Sequence, residues 1–319
     1  MRALVIGASG QVGAALLHAL RERGHHAVGT WAHHERPDLV PLDFTDAGAV
    51  ERMIGETRPD WVICPAALSH VDYCEEHPDE AFAVNVHAPA ATAGAAARAG
   101  AGFVYYSSDY VFDGIGGPFP EDAPPRPLGV YGQSKSEGER AVLAALDRAL
   151  VVRTSVVYGP EHQEKNFVYQ LIRACRGGTG FRPAVDQRAS PSYNPDVAAA
   201  TVECCEREER GIWHLAGADT IDRMAFARLI CHVFDLDGSR LTPSLTAELG
   251  QKAARPLDGG LSITKARTLL KTPLRGAEDG LRATHLRSLG PRRLEAYAVA
   301  HRRPQAEGGP PVGRWAQHH

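Results

Sequence analysis

The 319-residue chain is 44% hydrophobic and 23% charged, with 35 Lys and Arg against 38 Asp and Glu. This is an ordinary globular balance, long enough to bury a full core as one domain with a smaller lobe or two intimate domains. A net charge of −3 gives no general pull toward nucleic acid or an anionic membrane.

Short apolar runs alternate with helical patterns through the first half. Strands are predicted at residues 3–7 ("ALVIG"), 26–31 ("HAVGTW"), 61–67 ("WVICPAA") and 102–108 ("GFVYYSS"). Helices are predicted at residues 11–24, closed by Gly24, at 47–59, and over one long Ala-rich stretch, 78–100. A helix over "SKSEGERAVLAAL" and a buried strand over residues 149–159 follow. The alternation predicts an α/β fold, a Rossmann-like doubly wound parallel sheet with helices on both faces.

Beyond residue 160 the pattern loosens into a helix around "NFVYQLIRACRGG", a loop "VDQRASPSYNPD", a helix "VAAATVECCERE" and a strand "GIWHLAG". In "TIDRMAFARLICHVFDL" the residues Phe226, Leu229, Ile230, Val233 and Phe234 recur at helical spacing, which reads as core packing. The expected division is a nucleotide-binding domain over 1–160, completed by about 193–217, and a discontinuous substrate lobe over 161–192 and 218–290. The Arg- and Pro-rich stretch 291–319 reads as a flexible tail.

Six cysteines form no C-x-x-C pair, and Cys204 and Cys205 are adjacent, so all six read as buried or free thiols of a reducing cytoplasm. Cys74 sits beside Glu75 and Glu76, which would raise a thiol's pKa rather than activate it. The N-terminal apolar run is too short for a signal peptide. The longest uncharged stretch, Ala81 to Ala97, is too short and too polar to span a bilayer. The expectation is a cytoplasmic protein with no membrane or nucleic-acid partner.

"VIGASGQVG" places Gly7, Gly10 and Gly13 between a strand and a helix. Glycines there permit a tight turn and close approach of backbone N–H groups to a pyrophosphate at the helix N-terminus. Readers of NAD usually carry an acid at the end of the second strand. Here "GTWAHHERP" has none before Glu35, and His33, His34 and Arg36 lie close by. That favours NADP(H), with NAD(H) left open. Asp43 in "LDFTD" stands where an acid could meet the adenine amino group; a helix N-cap belongs more naturally to Thr45 or Asp46. The His doublets read as surface loops, and no metal site is assigned.

Three segments should converge at the carboxyl edge of such a sheet. "VYYSSDYVFDG" ends a strand with Ser107, Ser108 and Asp109, "VYGQSKSEGE" carries Tyr131 and Lys135, and Asn85 is a polar amide within an Ala-rich helix. Tyr and Lys four apart share a helix face. Alone they are two neighbours on a solvated surface; with a nucleotide loop and a strand-end serine they suit ketone reduction. Ser108 would polarise the carbonyl, Tyr131 would deliver the proton, and the Lys135 ammonium would bring the phenol down from its free pKa near ~10.

Taken with "AALSHVDYCEEHPDEAFAVNV", "RTSVVYG", "NFV", "DQRASPSYNPDVA" and "RPLDGGLSITKAR", these motifs make residues 1 to about 288 resemble the dTDP-4-dehydrorhamnose reductase family of extended short-chain dehydrogenase/reductases. The resemblance implies a nicotinamide-dependent reductase of the 4-keto group of a nucleotide-linked 6-deoxyhexose, with Ser108, Tyr131 and Lys135 as its triad. It implies cofactor contacts at Gly7, Ser9, Gly10, Gln11 and Val12, at Asp43 and Phe44, and at Ala66, Ala67, Asn85, Tyr131 and Lys135. Substrate contacts would fall at Ser69, Val71, Tyr110 and Asn166 and in the Asp186–Ser192 loop, with Arg188 and Ser190. Rhamnose-pathway members usually carry Trp where this chain has Val156, so another deoxysugar stays open. So does a homodimer. The same motifs resemble the regulatory β subunit of methionine adenosyltransferase, an NADP-binding partner protein, and fold alone does not separate the two.

Overall fold

A computed structural model describes residues 1–288 of the chain. The predicted tail, 291–319, lies outside the described residues. In the first half the elements are β1 (Arg2–Val5), α1 (Gln11–Glu22), β2 (His26–Trp31), β3 (Val40–Pro41), α2 (Ala47–Thr57) and β4 (Trp61–Cys64). They continue as α3 (Val71–Glu76), α4 (Pro78–Phe82), a π-helical turn (Ala83–His87), α5 (Ala88–Arg98), β5 (Gly102–Ser108), α6 (Val130–Ala145) and β6 (Ala149–Thr154). The second half adds β7 (Val157–Tyr158), α7 (Phe167–Arg176), β8 (Arg188–Ala189), β9 (Ser192–Tyr193), α8 (Asn194–Glu206) and β10 (Gly211–His214). It closes with β11 (Ile221–Asp222), α9 (Arg223–Val233), α10 (Thr264–Leu269) and α11 (Ala277–Ser288).

Seven strands form one sheet in the order β10-β6-β5-β4-β1-β2-β3, paired in parallel throughout. The chain starts at β1, winds one way to β3, then returns to β4 and winds the other. The switch lies between β1 and β4, and ligands of such sheets bind there, at the carboxyl ends.

Period-two alternation loads both faces. Val5, Ile63, Val104 and Val152 point to the face covered by Leu16, Leu17 and Leu20 of α1 and by Val197 and Val202 of α8. Leu4, Ile6, Val62, Phe103 and Val151 point to the face covered by Val50 and Ile54 of α2, Ala93 and Ala96 of α5, and Val142 of α6. Each such Val, Leu, Ile or Phe side chain stabilises the fold by roughly 1.5–3 kcal/mol on full burial. A separate apolar cluster joins α7, α9 and α11 through Leu171, Phe226, Ile230 and Leu281. Phe226, Ile230 and Phe234 are buried there, while Leu229 and Val233 are partly buried against them.

Several expected elements differ. The helix over 78–100 is broken into α4, the π turn and α5. The strand over 149–159 ends at Thr154, because Ser155 and Val156 turn the chain and Val156 takes a left-handed backbone at φ 42°. The loop "VDQRASPSYNPD" contains the two short strands β8 and β9, and α8 begins within it at Asn194. All six cysteines are free and only Cys175 is not buried.

Candidate active site

A cleft of about 860 Å³ opens over the carboxyl ends of the central strands. One end is formed by the loop between β1 and α1. Gly7 has φ +85°, and a Cβ at Gly13 would lie 2.3 Å from the Gly7 carbonyl oxygen, so α1 approaches this loop only because position 13 is glycine. Helix α1 has no side-chain cap and no acid in its first turn, so its first N–H groups and positive end face the cleft unneutralised. Gly7, Ser9, Gly10, Gln11 and Val12 all line it, and the Nε2 of Gln11 is buried without a partner. His33 and His34, beyond β2, line the same end.

Asp43 and Phe44 also line the cleft. Asp43 accepts from the Thr45 backbone N–H (2.9 Å) and hydroxyl (2.6 Å), and these bonds hold its carboxyl below the usual range. The α2 N-cap is Asp46, whose carboxylate accepts from the Ala49 N–H at 3.0 Å. Across the cleft floor, Ala66, Ala67, Ser69 and Val71 follow β4.

At the other end, Ser108 closes β5, and Tyr131 and Lys135 project from the first turns of α6. This helix starts at Val130 rather than Ser134, which puts both residues on one regular helical face. The phenol of Tyr131 is pushed above its ordinary range, chiefly by burial, and opposed by its hydrogen bond to Ser108. Tyr110 packs edge-on against Tyr131 with ring centroids 5.5 Å apart.

Lys135 is not among the leading influences on the Tyr131 phenol, which burial dominates. Its Nζ lies 4.0 Å above the centre of the Tyr105 ring and has no hydrogen-bond partner. Burial lowers it to about 8. Ser107 Oγ and Thr154 Oγ1 line the cleft in the same state, buried and unpaired. An unpaired buried polar atom costs about 1–3 kcal/mol. Four such atoms facing one cleft fit a polar ligand that would satisfy them.

Four predicted contacts stand outside the cleft. Asn85 is fully buried, and its amide is committed to Leu68 N–H, Leu68 carbonyl and Ser134 Oγ, each at 3.0 Å. The π turn frees its backbone carbonyl to accept from Tyr105 Oη at 2.8 Å. Asn85 therefore braces the 66–69 segment and α6 from behind. Asn166 caps α7, accepting from Val168 N–H at 3.1 Å and donating to the Gly159 carbonyl at 3.1 Å. Arg188 is exposed and turns toward Asp258 and the Thr220 carbonyl. Ser190 is buried against Thr220 Oγ1 and accepts from Leu261 N–H. Each is a polar group that a loop needed for itself.

Arg223 and Ser155 also line the cleft and escaped the sequence reading. Arg223, the first residue of α9, reaches the cleft with its guanidinium 5.4 Å from the centre of the Phe167 ring. Its helix reads as pure packing because only the topology brings its first turn here; Asp222 as N-cap was the one local signal. Asp109 and Ser155 are buried in the wall, with Asp109 accepting from the hydroxyls of Ser108 (2.9 Å) and Ser155. Val156 lines the cleft in its left-handed conformation, a strained state for a β-branched residue that persists only where surroundings enforce it. Cys64 and Cys74 are inert, pushed up to about 12 and about 11, first by burial and, for Cys74, next by Glu80. Among the described residues, no group of three or more His, Cys, Asp or Glu could hold a metal ion, and no helix is long and apolar enough to cross a membrane.

The RmlD substrate binding domain model matches residues 1–288. The chain belongs to this family. Among curated relatives, the probable low-salt glycan biosynthesis reductase Agl14 of Haloferax volcanii is 34% identical over 89% of this chain and 97% of its own length. Methionine adenosyltransferase 2 subunit beta of Xenopus tropicalis is 33% identical over 86% of this chain and 85% of its own. Among solved structures, dTDP-4-dehydrorhamnose reductase from Bacillus anthracis, in complex with NADP, superposes with a TM-score of 0.83 at 28% identity, covering 90% of this chain and 99% of that one. The family fold is the extended short-chain reductase fold described above.

Proposed function

We propose that the chain is a nicotinamide-dependent reductase of the 4-keto group of a nucleotide-linked 6-deoxyhexose. The observation that carries this reading is that one cleft holds both the uncapped α1 N-terminus with its glycine loop and the buried Ser108, Tyr131 and Lys135. The residues fit the cofactor: the α1 N-terminus and Gly7–Gly13 loop would hold the pyrophosphate, and the unpaired Lys135 Nζ would donate to the ribose hydroxyl oxygens. When bound, the reduced nicotinamide supplies the hydride for the carbonyl carbon. Tyr131 donates its proton to the ketone oxygen, and Ser108 gives that oxygen a second hydrogen bond. The segment after β2 carries no acid before Glu35, and His33 and His34 from it line the cleft, which supports NADP(H) over NAD(H). The relatives' names, a glycan biosynthesis reductase and dTDP-4-dehydrorhamnose reductase, support a sugar-nucleotide substrate.

The test is to supply NADPH deuterated at its transferable position with dTDP-4-dehydro-L-rhamnose, and compare wild type with Tyr131→Phe. Deuterium at hexose C4, with turnover lowered about 10²–10⁴-fold in the variant, is expected. No label transfer to this or related keto-sugars would remove the reductase reading.

The similarity to methionine adenosyltransferase 2 subunit beta favours a second reading, a nucleotide-binding partner subunit. That reading expects NADPH binding without turnover, and a stable complex with a methionine adenosyltransferase catalytic chain.

A further inference from the structure

Asp109 has no role in the chemistry above, yet it is a carboxyl 3% exposed within the wall of the cleft. Its two oxygens are gripped by different hydroxyls. Ser108 donates to Oδ1 at 2.9 Å, and Ser155, at the turn after β6, donates to Oδ2. Ser108 Oγ also accepts from the Tyr110 backbone N–H at 3.3 Å and meets the Tyr131 phenol. A serine has one proton to donate. While it goes to Asp109, Ser108 can offer a ketone oxygen nothing but a lone pair.

We propose that Asp109 is the positioning residue of Ser108: with a proton on Oδ1 it donates to Ser108 Oγ, turning the Ser108 hydroxyl hydrogen toward the substrate oxygen and Tyr131. Ser155, which has no other acceptor among the described contacts, keeps donating to Oδ2 and holds the carboxyl in plane. The exchange moves one proton from solvent onto Oδ1 and reverses one hydrogen bond, with no change in oxidation state. This inference rests on the reductase reading and adds a residue to it.

The surroundings suit a carboxyl that is neutral when the site works. Burial is the main influence on Asp109 and pushes it up to about 6, against the Ser155 and Ser108 hydrogen bonds. From α9, Arg223 is the cation that opposes this rise. On the remaining sides stand Tyr110, Tyr131 from α6, and the uncharged backbone of Gly259, where a Cβ would lie 3.1 Å from Oδ2. A ligand filling the cleft removes more water and raises the group further. Keeping an acid neutral so that it can donate is an established catalytic device.

The experiment is the pH dependence of kcat/KM with NADPH and the keto-sugar for wild type, Asp109→Asn and Asp109→Ala. An amide mimics the neutral acid, donating to Ser108 and accepting from Ser155. Wild-type kcat/KM should fall about tenfold per pH unit above the Asp109 midpoint, while Asp109→Asn stays level within about threefold between roughly pH 5.5 and 7.5. Asp109→Ala should lie about tenfold or more below Asp109→Asn in kcat across that range, with KM little moved. An unchanged fall in Asp109→Asn, or Asn no better than Ala, overturns the proposal. If wild type turns over no keto-sugar, the functional reading fails separately. The Asp109–Ser108 coupling is then read by carbon-13 NMR titration of the Asp109 carboxyl in the folded protein. Ser108→Ala should raise the midpoint, and an unmoved midpoint rejects the coupling.

Discussion

The wall of the cleft and the second-half segments beyond it use their polar residues in opposite ways. On the wall built from the parallel sheet, α1 and α6, Lys135 Nζ, Ser107 Oγ, Thr154 Oγ1 and Gln11 Nε2 are buried and unpaired. On the side built from the second half, Asn166, Arg188 and Ser190 spend their hydrogen bonds on their own loops. Regular strands and helices satisfy their own backbone, so side chains at their ends are free for a ligand. Two-residue strands such as β8 and β9 cannot do so and recruit nearby side chains instead. The first wall is thus preset for a ligand at a cost in stability, and the three second-half residues are scaffold outside the cleft.

The largest effect should come from breaking what fixes the first wall. Helix α6 is tied to β6 by a buried bidentate pair, Glu139 with Arg153, at 2.7–2.8 Å and 3% and 1% exposed. Beside it His214 is kept neutral, lowered to about 3 by burial and by Arg153. Arg153→Met should cost about 3–5 kcal/mol by leaving the Glu139 carboxylate alone, measured by urea unfolding, and adding Glu139→Met should restore part of it. A loss below about 1 kcal/mol would mean that the wall is held otherwise.

Next comes the pH dependence of Lys135. Its amine is lowered to about 8 by burial, against an ordinary 10.5. Below that value it is charged in both folded and unfolded states, and the burial penalty applies in full. Between about 8 and 10.5 the unfolded state holds the extra proton, so wild-type stability gains as pH rises. The ligand-free Lys135→Met protein should therefore be more stable than wild type at neutral pH, by up to about 3 kcal/mol, with the gap narrowing by about pH 9.5. The smallest effect belongs to the scaffold outside the cleft. Asn166→Ala should lose about 1 kcal/mol as a helix cap and leave KM within about threefold.

The same contrast decides what was legible in sequence. β2 and β5 fall at the predicted residues, 26–31 and 102–108; β5 is buried along its whole length and so leaves a dense apolar run, while β2 is buried only at Gly29 and Thr30 and is marked by the turns around it. Gly7–Gly13, Ser108, Tyr131 and Lys135 were readable because short motifs at strand ends meet wherever a parallel sheet forms. Arg223 and Ser155 were not, since their place depends on how α9 and the turn after β6 fold over the cleft. Asn85 misled because an amide in an Ala-rich helix marks a break in that helix as well as it marks a contact. The π turn there is set by its bonds to Leu68 and Ser134.

The most direct test of the central claim, that the first wall's unpaired groups await a nicotinamide nucleotide, is NADPH binding to wild type and Lys135→Met by calorimetry at neutral pH. The account predicts that the variant binds at least about tenfold more weakly, although it is the more stable protein without ligand. Equal affinity in the two proteins would contradict it, and would make the buried ammonium a feature of the fold alone.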